Sequence, residues 1–210
     1  MEQSKKINSY YGITLESRVI DQNSNVLAVL LPGMGYTLDR SLMDYSKNLA
    51  VEKGYDVLPI EYGFQAVRKK IDKDNMKDVE VVINESYELL KLSLENRYEK
   101  VIFIGKSLGT VVQRMLEEKI RKENYDGEII NVYLTPIDKT CELGIKENSL
   151  VVCGTKDPMI TSENREKLSH MSNINYIEVD GAGHSLAIKN DVMRSIEALK
   201  TVIYAEKEFI

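Results

Sequence analysis

A chain of 210 residues, 43% of them hydrophobic and 29% charged, is long enough to bury one proper core and too ordinary in composition for a disordered or fibrous protein. Its net charge of −5 excludes the basic footprint that binding to nucleic acid or an anionic membrane surface requires. Two cysteines without CxxC spacing, Cys141 and Cys153, and two histidines, His170 and His184, fit neither a disulfide framework nor a zinc site.

The opening residues, MEQSKKINSYYG, have no apolar h-region, and the longest apolar runs, such as Val26 to Pro32, are too short to span a bilayer. The expectation is a cytoplasmic protein with reduced thiols, no metal or other cofactor, and a small molecule as its partner. Nothing in the sequence specifies an oligomeric state. With no repeat, low-complexity tract or linker, residues 1–210 read as a single domain.

The segment Ile13 to Ile20 alternates as a half-buried strand does, and Asn23-Ser24-Asn25 follows as a turn. Val26 to Leu31 is continuously apolar, as a strand covered on both faces must be. Ser41 to Lys53 reads as a helix stopped by Gly54, and Asp56 to Ile60 as a strand that Pro59 places near an end. The charged stretch Gly63 to Lys77 is expected to form a small rim. Val79, Val82, Ile83, Leu89 and Leu90 recur at helical spacing, which predicts a helix from Asp78 to about Leu94. A strand over Val101 to Ile104 precedes a helix over Leu108 to Lys122, whose Val111, Val112, Met115, Leu116 and Ile120 face inward. Ile129 to Leu134, Leu150 to Cys153 and Asn175 to Val179 are three more strands, and a last helix begins near Asp191 as N-cap. Apolar strands alternating with amphipathic helices imply an α/β fold: a three-layer α/β/α sandwich around a mainly parallel sheet of at least six strands. In such sheets ligands sit beyond the carboxyl ends of the strands, so the residues that follow each strand are the informative ones.

Gly105-Lys106-Ser107-Leu108-Gly109 stands between a strand and a helix. A sharp turn there lifts the Ser107 hydroxyl out of the sheet, and glycines two residues to either side let neighbouring backbone pass. Gly154-Thr155-Lys156-Asp157-Pro158 follows another strand, where a carboxylate can accept a hydrogen bond from an imidazole. Asp180-Gly181-Ala182-Gly183-His184-Ser185 puts a histidine on a glycine-rich loop after a third. Each feature alone has a bland reading: a βα turn, a turn aspartate, a solvated histidine. Three together, each after its own strand and in the order serine, acid, histidine, are hard to obtain by accident. They point to Ser107 as nucleophile, Asp157 as the acid that orients the base, and His184 as general base. Asp138 also follows a strand and is the competing acid. The loop Pro32-Gly33-Met34-Gly35-Tyr36 follows the first buried strand, and its backbone N–H, with that of Leu108, would serve as an oxyanion hole. As a dinucleotide-binding pattern it fails, because Leu38 stands where the third glycine belongs. Lys106 reads as structural or pocket-tuning.

On the motifs LLPGMG, VIFIGKSLGT, VVCGTKDPMI and VDGAGHSL the chain resembles the α/β-hydrolase superfamily, from about Ile13 to the last helix. The resemblance implies nucleophile Ser107, acid Asp157, base His184, and oxyanion donors Met34 and Leu108. Many members have His-Gly where this chain has Pro32-Gly33. Many also insert a helical cap after the strand that ends at Leu134, where only Thr135 to Asn148 intervene here, so the cap is expected to be absent or minimal. The implied activity is hydrolysis of an ester or thioester of a small soluble substrate through an acyl-enzyme. The pocket is expected to be bounded by Tyr36, Met159 and Leu186 and to suit short acyl groups. A non-catalytic ligand-binding protein on this fold, or an acyltransferase or peptidase using the same three residues, would look alike at this level.

Overall fold

The apolar runs assemble into one eight-stranded sheet in the computed structural model, which describes residues 2–72, 75–95 and 98–210. The strands are β1 (Glu2–Asn8), β2 (Thr14–Ile20), β3 (Val26–Leu31), β4 (Asp56–Pro59), β5 (Lys100–Lys106), β6 (Glu128–Leu134), β7 (Ser149–Gly154) and β8 (Asn175–Val179), in spatial order β1-β2-β4-β3-β5-β6-β7-β8. From β4 to β8 every pairing is parallel, while β1 and β2 add antiparallel pairings at one edge. Among the described residues the helices are α1 (Ser41–Glu52), α2 (Gly63–Ala66), α3 (Met76–Leu94), α4 (Leu108–Lys122), α5 (Asp138–Glu142), α6 (Ser162–Ser169) and, after the last strand, α7 (Val192–Phe209).

The continuous apolar strands have the physical reason expected of them. In β3, Leu27, Val29 and Leu31 join a core with α3 and α4, while Ala28 and Leu30 join the opposite core, which takes in α1 and α7. A residue pointing to either face of the sheet is therefore out of water. A third, smaller cluster of Tyr133, Val151, Cys153, Ile160 and Leu168 seats α6. Cys153 is a buried core residue, and both cysteines are free.

Four elements carry too little periodicity to be read from the chain. β1 has a single apolar residue beyond its charged and polar ones, Ile7, and is held by antiparallel pairing along its whole length with β2. The helices α2, α5 and α6 have four, five and eight residues, too short for an apolar stripe to repeat. The stretch Gly63 to Lys77 is not the rim expected of it. Gly63 and Phe64 are buried, and among the described residues none between Gly63 and Lys77 borders the cleft above the sheet. Lys73 and Asp74, within that stretch, lie outside the described residues. No helix among the described residues is long and apolar enough to cross a membrane.

One buried acid stands out where α7 packs on α1. Glu206 has no exposed surface, and neither carboxyl oxygen has a hydrogen-bond partner among the described residues. The adjacent Ser46 hydroxyl donates instead to the Leu42 carbonyl at 2.9 Å. Burial raises the Glu206 pKa to about 8, opposed only by Ser46. Folded Glu206 therefore keeps its proton at a pH where the unfolded chain has lost it. Stability is greatest below the ordinary carboxyl range and falls as pH rises towards 8. In Glu206→Gln that fall is removed, so the variant gains on the parent by up to about 1.4 kcal/mol per pH unit across this window. Urea unfolding at pH 5, 6, 7 and 8 measures it. Parallel curves for the two proteins would show that Glu206 ionises freely.

Candidate active site

The carboxyl ends of β3, β5, β7 and β8 bring four loops to one place. β5 is paired with β3 and β6 up to Gly105 and Lys106, and α4 begins at Leu108, so Ser107 alone makes the turn. Its φ of 55° and ψ of −115° are strained for a residue with a Cβ. The conformation is fixed by Ser107 N–H donating to the Leu134 carbonyl at 3.0 Å, and by the Thr110 amide and hydroxyl donating to the Ser107 carbonyl at 2.9 and 2.6 Å. The flanking glycines have a packing reason. A Cβ on Gly109 would lie 2.0 Å from the Leu31 carbonyl oxygen, and one on Gly105 would lie 2.6 Å from that of Gly109. Although Ser107 stands at the N-cap of α4, its hydroxyl makes no capping bond. It lies instead 2.7 Å from Nε2 of His184.

The other ring nitrogen, His184 Nδ1, is 2.8 Å from Oδ2 of Asp157. The Asp157 side chain has no exposed surface, whereas that of His184 is 26% exposed. The second Asp157 oxygen, Oδ1, accepts from the Met159 amide at 2.8 Å, so the carboxylate cannot rotate away. The two loops are laced together besides: the Lys156 amide donates to the Ala182 carbonyl at 2.9 Å, and the Gly181 amide to the Thr155 hydroxyl at 2.8 Å. This approach needs Gly154, since a Cβ there would fall 2.3 Å from the Ala182 carbonyl oxygen. Asp138 stands elsewhere. Its Oδ1 accepts from the Thr161 amide, the Thr161 hydroxyl and Asn164 at the start of α6. Partial burial works against its charge, but these hydrogen bonds outweigh it and hold its pKa below the usual value.

Lys106 does more than the sequence suggests. Its side chain is 1% exposed, its Nζ donates to the His184 carbonyl at 2.6 Å, and it lies 5.1 Å from the centre of the Tyr36 ring. Burial pushes its pKa down to about 7, against the opposing pull of the Asp157 charge. One side chain thus links the loop after β3, the end of β5 and the histidine loop.

The loop after β3 is held from behind. Tyr62 Oη donates to the Pro32 carbonyl at 3.0 Å, and Gln65 Nε2 to the Gly33 and Met34 carbonyls at 2.9 and 3.3 Å. In a trans peptide the N–H points opposite to the C=O, so the Met34 N–H is directed away from Gln65. A Cβ on Gly33 would lie 3.2 Å from that of Ser107, so the loop rests against the serine. Tyr62 and Gln65 carry no sequence signal for this role.

The four loops open into a cleft of about 960 Å³. Ser107, His184, Met34, Leu108, Tyr36 and Met159 border it. Leu186, expected there, is not a cleft residue. It is 4% exposed and packs into the core beside α1 and α7, in a turn where its amide bonds back to Gly183. The cleft also takes in residues the sequence reading assigned to core, among them Val79 and Ile83 of α3 and Val111 and Met115 of α4.

Residues 24–210 match the alpha/beta hydrolase domain family. No curated protein matches the chain in sequence. Among solved structures, a serine hydrolase without a lid from Xanthomonas campestris superposes with a TM-score of 0.71 at 11% identity, covering 99% of this chain and 92% of that one. Est1E from Butyrivibrio proteoclasticus gives 0.68 at 13% identity, with 98% and 96% covered. An esterase of Pyrococcus furiosus gives 0.65 at 17% identity, with 100% and 91% covered. Identities this low establish the shared fold and leave the chemistry to the residues of the site. With the family match running from before β3 to the last residue, the chain belongs to the alpha/beta hydrolase family.

Proposed function

We propose that the protein is a cytoplasmic serine hydrolase that cleaves an ester or thioester of a small soluble substrate through an acyl-enzyme on Ser107. The observation that carries this reading is the unbroken hydrogen-bonded line from Asp157 through His184 to Ser107 at the edge of an open cleft. His184 Nε2 takes the hydroxyl proton as Oγ attacks the carbonyl carbon. Asp157 fixes the tautomer that leaves Nε2 free to accept, and stabilises the imidazolium that forms. The Leu108 and Met34 N–H groups receive the oxyanion, each worth about 3 kcal/mol to the transition state. The imidazolium then protonates the leaving oxygen or sulfur, and a water activated by the same ring returns Ser107 to its free form. The positive end of α4 beneath the turn favours the developing negative charge.

A fluorophosphonate should label Ser107 and no other serine, as read by mass spectrometry of the digested protein. Ser107→Ala and His184→Ala should each lower ester turnover by roughly 10⁴-fold or more, and the double variant should lose little beyond either single one, because the members act as a unit. An adduct on a different serine overturns the assignment.

Lys106 has a separate expected signature. Its Nζ is committed to the backbone of His184 although the residue also borders the cleft, so its loss should chiefly misplace the ring. In Lys106→Met, whose side chain keeps the apolar stem, kcat should fall about 10- to 100-fold with KM within roughly twofold. Steady-state kinetics on one soluble ester separate the two. A rise in KM with kcat intact would make Lys106 a substrate contact instead.

A further inference from the structure

Beyond the reacting atoms, the cleft continues as an apolar trough along α4. Leu108, Val111 and Met115 fall on one face of that helix, three and four residues apart, and Ser107 immediately precedes it. Val79 and Ile83 of α3 line it as well, with Ile137 and Leu143 at the two ends of α5. From Ser107 to Met115 is eight residues, or about 12 Å along the helix axis. An extended chain advances about 1.2 Å per bond, so the trough accommodates roughly eight to ten carbons beyond the attacked carbonyl. That is more than the short acyl group expected from the sequence.

The polar groups at the rim are already matched. Asp138 is taken by Thr161 and Asn164, Lys139 pairs with Glu142 at 2.9 Å, and Lys106 is engaged by the His184 carbonyl. No unmatched charge among these groups is left to select a charged or strongly polar tail, while the floor and walls are aliphatic. The geometry points to a linear, medium-length acyl chain as the group transferred to Ser107, with Met115 setting the length that fits. This rests on the acyl-enzyme reading above and deepens it.

The test is kcat/KM for p-nitrophenyl esters of two to fourteen acyl carbons, together with fluorophosphonate labelling of Ser107. In the parent protein kcat/KM should rise about two- to fourfold per added carbon, as each methylene leaves water, up to roughly eight to ten carbons, and then level or fall. Met115→Trp fills the far half of the trough and should move the optimum to about four carbons. The ratio of the decanoyl to the butyryl ester should drop at least tenfold relative to the parent. Met115→Ala opens the far end and should move the optimum to twelve carbons or beyond. The ratio compares two substrates on one protein, so partial misfolding of a variant cancels. Two results overturn the trough while leaving the hydrolase reading intact: Ser107 labelled and acetyl ester cleaved but activity declining from the acetyl ester onward, or an optimum that neither Met115 variant moves. Absence of both labelling and turnover at every length overturns the hydrolase reading, and the trough's role with it.

Discussion

The turn at Ser107 is the constraint on which the rest of this site depends. A strand paired on both sides must become a helix within one residue, and the left-handed conformation that accomplishes it costs on the order of 1–3 kcal/mol. Strand and helix together hold it: the Leu134 carbonyl of β6 and Thr110 of α4 bond the turn from both directions. A serine at a helix N-terminus ordinarily turns its hydroxyl back onto the helix amides. Here that option is unused, and the hydroxyl faces the His184 ring. The two glycines follow from the same turn, since it drives the first residues of α4 against the end of β3, where no side chain fits.

Around the turn, charge is arranged by burial. Asp157 is enclosed with both oxygens bonded, one to the His184 ring and one to the Met159 amide. Lys106 brings a second ionisable group into the same interior, paired with a carbonyl oxygen and a tyrosine face and making no carboxylate ion pair among the described residues. Burial of such an ammonium disfavours its charged form, against the pull of the Asp157 charge. Its position between the tyrosine ring and the histidine carbonyl links the order of one loop to that of the other.

The cleft owes its shape to what the fold leaves out as well as to what it contains. The connection from β6 to β7 is short and carries only the five-residue α5, so residues of α3, α4 and α5 border the cleft directly. Val79, Ile83, Leu108 and Val111 on those helices belong to the core and at the same time border the cleft. Gly63 and Phe64 turn inward, and Gln65 braces the loop after β3 from behind.

The amino-acid sequence by itself determined the layers and the order of the loops. Continuous apolar runs such as Val26 to Leu31 have no other stable place than a doubly covered strand, and the stripe on residues 108–122 has none but a helix packed on it. It also marked Ser107, Asp157 and His184, because each stands beside glycines directly after a strand and such positions share one edge of a parallel sheet. Local pattern could not supply the pairing of β1, nor the short helices, whose stability comes from contacts far away in sequence. Nor could it separate Leu186, which folds into core, from the partly buried Met115, which borders the cleft, since apolar character is the same in both places. The tertiary structure alone decided these, and likewise which of Asp138 and Asp157 lies against the His184 ring and the reach of Lys106 to the His184 carbonyl. Each depends on the distance between loops 20 to 80 residues apart in the chain, which the sheet register sets and no local spacing encodes.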